Sequence, residues 1–73
     1  MTRDENDDAR VEAERLRAVI VEYLAAGAAH DEATWLLARA TSAADLPPLW
    51  RQHAEAVRRW ATARIALLAA GAP

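Results

Sequence analysis

The sequence predicts an all-α protein: three helices in long-short-long order, forming a bundle that is completed by homodimerisation. Three observations carry this. Apolar residues recur at spacings of three and four along most of the chain, alanine supplies much of the 53% hydrophobic content, and the helical pattern is punctuated at Gly27 and at Pro47-Pro48. Alanine favours helix strongly but fills little space, so such helices form readily around a thin core. With 73 residues and no cysteine, one small domain has to manage without disulfides or thiolate metal ligands. A second copy is the simplest source of extra burial.

Residues 1–7 show no periodicity and are expected to be frayed or disordered, with a single helical domain over 8–71. The first helix is expected at about 7–26. Ala9, Ala13, Leu16, Ile20, Tyr23 and Leu24 make its apolar stripe, and Glu12–Arg15 is one of several ion pairs at helical spacing. Val19 and Val21 cannot both face one neighbour, so this helix should touch more than one surface. Gly27 is the expected stop, since glycine accepts the left-handed cap conformation freely.

Asp31 is then read as the N-cap of a short helix over 31–41, with Trp35, Leu36 and Ala40 facing inward. The third helix is expected at 46–70. Pro47 and Pro48 fit only in its first turn, where backbone N–H groups have no partners inside the helix. Two ridges run along it. One is Trp50, Ala54, Val57, Ala61, Ile65 and Leu68; the other is Leu46, Leu49, His53, Ala56, Trp60 and Leu67. Together they are wider than one neighbouring helix can cover.

Helix length sharpens the expectation of a dimer. At ~1.5 Å per residue the third helix would overshoot the end of the first by roughly 20 Å. Its last turns would leave Trp60, Ile65, Leu67 and Leu68 in water, an unusually large apolar patch for a small monomer. The partner or dimer interface is therefore assigned to Trp50, Val57, Trp60, Arg64, Ile65, Leu67 and Leu68. Arg64 interrupts the apolar ridge. Its stem is expected to lie on apolar surface with the guanidinium in water, the alternative being a pair with Glu22 or Glu32.

No catalytic signature is present, and neither a cofactor nor a metal is expected. The only glycines are Gly27 and Gly71, which excludes a glycine-rich phosphate loop. Ser42 stands outside any nucleophile motif. His30 and His53 lack the spacing of a helical metal motif, leaving only a site built across a dimer. The net charge is −2, and all nine basic residues are arginine, as in proteins of GC-rich genomes such as those of actinobacteria and their phages. That balance gives little electrostatic support for nucleic-acid binding. A short helix, a turn and a longer helix is nonetheless the order of a DNA-reading motif, so a small DNA-associated transcriptional regulator is the alternative function. The acidic N-terminus is unlike a signal peptide, and no stretch is long enough for a membrane span. The leading reading is a cytoplasmic, non-enzymatic homodimer that serves as a protein-interaction or regulatory module.

Overall fold

The computed structural model describes residues 2–71, with side chains from residue 5 onward. Two α-helices, α1 (Thr2–Ala38) and α2 (Leu46–Gly71), run side by side as a helical hairpin. The expected three-helix order is corrected to two, because α1 passes straight through Gly27. No described residue has positive φ, so Gly27 is not a left-handed cap. Alanines flank it on both sides (Ala25, Ala26, Ala28, Ala29), and a single interior glycine costs only about 1 kcal/mol relative to alanine. Asp31, expected as an N-cap, is consequently an exposed mid-helix residue. At the other end α1 begins at Thr2, inside the stretch read as frayed, while Met1 lies outside the described residues.

The connection is local and well bonded. Arg39 N–H donates to Trp35 O at 3.1 Å, closing the last turn of α1. Ser42 then caps a 3₁₀ turn at Ala43–Asp45: its Oγ accepts from Ala44 N–H at 3.3 Å, and its carbonyl accepts from Asp45 N–H at 3.1 Å. α2 starts at Leu46 with Pro47 and Pro48 in its first turn, where their missing N–H groups cost nothing. Trp35 does not face inward. It stands exposed with the Arg39 guanidinium 4.4 Å from its ring centroid, an exposed cation–π contact.

The seam between the helices follows a 4-3-4-3-4 spacing on both sides. On α1 the least exposed positions include Val19, Tyr23, Ala26, His30, Ala33 and Leu37; on α2 they are Leu49, His53, Ala56, Trp60, Ala63 and Leu67. This is coiled-coil spacing. Taken outward from the connection in antiparallel order, Ala33 is matched with His53, His30 with Ala56, Ala26 with Trp60 and Tyr23 with Ala63. Each large ring falls opposite an alanine. Among the described residues the buried hydrophobic ones are those alanines alone: Ala26, Ala33, Ala56 and Ala63. Gly27 widens the space further, since a Cβ placed there would stand 3.8 Å from Trp60 Nε1.

This register reverses the expected overhang. At ~1.5 Å per residue α1 is about 55 Å long and α2 about 39 Å, within a molecule 64 Å in its longest dimension. Because α1 continues to Ala38, it lies beside α2 to the end, and the free turns are those at the start of α1. Those turns are strongly charged, carrying ion pairs Asp7–Arg10 at 3.7 Å and Glu12–Arg15 at 3.5 Å. Such exposed pairs contribute little to stability, but they keep the overhang hydrated.

Helical continuity at Gly27 makes a direct prediction. An alanine methyl at this position would meet only ordinary van der Waals contact. Gly27→Ala should therefore raise stability by about 0.5–1 kcal/mol in urea unfolding at matched chain concentration. A loss of stability would point to a left-handed cap at this position instead.

Candidate interaction surface

The two sides of the seam differ in chemistry. In an antiparallel pair of right-handed helices, the residues that precede the seam positions in both helices emerge on one side of the pair. Those that follow emerge on the other. The preceding positions include Glu22, Ala29 and Glu32 on α1, and Gln52, Glu55 and Arg59 on α2. The latter five, with Ala56, line a hollow of about 220 Å³. Arg59 spans this side with a two-pronged hydrogen bond, Nη2 to Glu22 Oε1 at 2.7 Å and Nε to Glu22 Oε2 at 2.9 Å. That geometry matches guanidinium to carboxylate and fixes the helix register. The hydrogen bonds from Arg59, aided by its charge and opposed by partial desolvation, hold the Glu22 carboxyl below its ordinary pKa. Glu22 is therefore taken by Arg59, and the alternative of a Glu22–Arg64 pair is not realised within the chain.

The opposite side is apolar. Ile20, Leu24, Gly27, Asp31, Thr34 and Ala38 follow the seam on α1; Trp50, Ala54, Val57, Ala61, Arg64 and Leu68 follow it on α2. Two open hollows lie here with Trp60 between them. One, about 450 Å³, is lined by Tyr23, Leu24, Gly27, Ala28, His30, Asp31 and Trp60. The other, about 400 Å³, is lined by Val57, Trp60, Ala61, Arg64, Ile65 and Leu68. Ile20, Leu24, Trp50, Val57, Ile65 and Leu68 are all exposed.

The seven residues assigned from the sequence to an interface thus separate into two groups. Trp50, Val57, Arg64, Ile65 and Leu68 stand on the exposed apolar side, with Arg64 exposed beside Trp60 and Leu68. Trp60 and Leu67 are half-buried seam positions. Trp60 stacks on His30 with ring centroids 5.0 Å apart and lies 6.5 Å from Tyr23. Ile20 and Leu24 join the exposed side from α1. Their signal was present in the α1 stripe, but a helix ending at Gly27 gave no register that would align them with α2.

A row of rings runs along the seam near the connection. His30 and His53 centroids are 5.3 Å apart, and Trp50 stands edge-on to His53 at 5.9 Å. His30 Nδ1 is 3.5 Å from Asp31 Oδ1. Among the described residues no group of three or more His, Asp or Glu side chains is arranged to hold a metal ion. No described helix is long and apolar enough to cross a membrane. No protein-family model matches the chain, and neither a curated protein nor a solved structure is significantly similar to it.

The Glu22–Arg59 pair sets a pH dependence with a definite sign. A carboxyl whose folded pKa is depressed adds stability above its unfolded pKa, and this is lost as pH falls through the folded value. Thermal melts should show Glu22→Gln less stable than wild type at pH 7, the two converging in acid as Glu22 protonates. A constant difference down to pH values below the carboxylate range, roughly pH 2, would show that the pair is not the source.

Proposed function

We propose that this chain is a non-enzymatic protein-interaction module, a regulatory part that works by offering the apolar side of its hairpin to another helical surface. The observation that carries this reading is the asymmetry of the two sides. One is bridged by an ion pair and lined by carboxylates and Gln52; the other exposes Ile20, Leu24, Trp50, Val57, Ile65 and Leu68, contributed by both helices. Apolar strips of this kind mark interaction sites on small proteins. Helix-in-groove docking suits the shape, with hollows on either side of Trp60 receiving side chains at helical spacing.

The polar side chains fit this role. Asp31 and Arg64 are charges within the strip and lie at the two hollows, where they would fix the register of a bound helix rather than supply bulk affinity. The DNA-associated alternative draws less from the geometry. Arg59 is already neutralised by Glu22, and the short helix that would precede a recognition helix is replaced by the continuous α1.

The working surface can be separated from the seam by mutation. Trp60→Ala should cost about 3 kcal/mol of folding stability because it empties the seam opposite Ala26. Leu68→Arg should leave helicity largely intact while abolishing partner capture from the source cells. A set of captured proteins that is the same for wild type and Leu68→Arg would contradict this reading.

A further inference from the structure

The occupant of the apolar strip follows from surface area and charge; this step rests on the interaction reading above and names its partner. The folded chain exposes 5890 Å², whereas a compact monomer of 8.0 kDa is expected to expose about 4,450 Å². The excess, about 1,400 Å² per chain, lies within the range that stable obligate dimers remove, roughly 1,000–2,500 Å² per protomer. Part of it belongs to the free, charged first turns of α1. Exposed aliphatics of the strip, Leu24, Val57 and Leu68 among them, contribute to the remainder.

Among the described residues, no fully buried side chain is larger than alanine. A fold whose interior is four alanines lacks the burial that ordinarily offsets chain entropy at this size. A partner that covers the strip would therefore add to the stability of the fold. A second copy is the one partner always available at equal concentration.

The strip is also complementary to itself. The charges among its seam-flanking positions are one carboxylate, Asp31, and one guanidinium, Arg64, so two copies bring equal numbers of opposite charges to the interface. Gly27 and Ala28 leave a hollow of about 450 Å³ in one part of the strip, and Leu68, exposed at 63%, stands at the rim of the second. We infer that two hairpins join by these strips into a two-fold four-helix bundle, with Leu24 of α1 and Val57 and Leu68 of α2 at its centre.

Sedimentation equilibrium with circular dichroism tests this on the full chain. At about 10 µM the wild type is expected at twice 8.0 kDa. Leu24→Arg and Leu68→Arg should each weaken association at least ~10-fold. Val21→Arg, an equally conspicuous exposed aliphatic at 58% but outside the strip, should leave association unchanged.

The inference is overturned by a helical wild type that stays at 8.0 kDa up to about 100 µM. It is also overturned if Val21→Arg dissociates the assembly as strongly as Leu24→Arg. A helical monomer that still captures a cellular protein through Leu68 would defeat the second-copy assignment and leave the interaction reading standing. If Leu68→Arg changes neither association nor capture, both fall.

Discussion

The structure depends on the match of rings against alanines along one seam. Trp60, His30, His53 and Tyr23 each lie opposite a buried alanine, and Gly27 makes further room for the indole. Helices meeting through such small residues approach closely, and the pairing sets each ring against a small neighbour. Arg59 and Glu22 then lock that register from the polar side. The same arrangement limits what the seam can bury. Alanine removes little surface from water, and the rings are only half-covered, so a long, well-registered hairpin arises with scarcely any interior.

That shortfall links the fold to the proposed role. A heptad seam uses two positions in seven from each helix, yet the apolar pattern in this chain extends one position further round. In α1 this adds Ile20 and Leu24; in α2 it adds Trp50, Val57, Ala61 and Leu68. Antiparallel geometry places both additions on the same side. The result is a two-helix layer with one polar side and one apolar side. Asp31 and Arg64 interrupt the apolar side where a second layer would be aligned.

Much of this was legible in the sequence, and the rest failed for identifiable reasons. The ridges assigned to the last helix hold in part: Leu49, His53, Ala56, Trp60 and Leu67 lie at the seam, which Ala63 completes and exposed Leu46 does not join, while Trp50, Val57 and Leu68 are exposed beside it. The prolines sit in the first turn because their backbone chemistry permits nothing else. Gly27 misled because its local signal, a glycine after an apolar run, is that of a helix end. What overrides it is partly local, the helix-favouring alanines on either side, and partly tertiary, the packing of α1 against α2 beyond Gly27. From that one residue the short middle helix, the N-cap at Asp31, the inward Trp35 and the direction of the overhang all followed. The Glu22–Arg59 pair joins residues 37 positions apart and was invisible without a register. The separation of Trp60 and Leu67 from their exposed neighbours was likewise a matter of register, since both ridges are apolar.

If the hairpin is half of its folded unit, its stability must depend on mass action. The thermal melt of the unmodified chain, followed by circular dichroism across about a 100-fold range of concentration, tests this most directly. The expected result is a midpoint that rises steadily with concentration. A cooperative melt whose midpoint stays fixed across that range would contradict it.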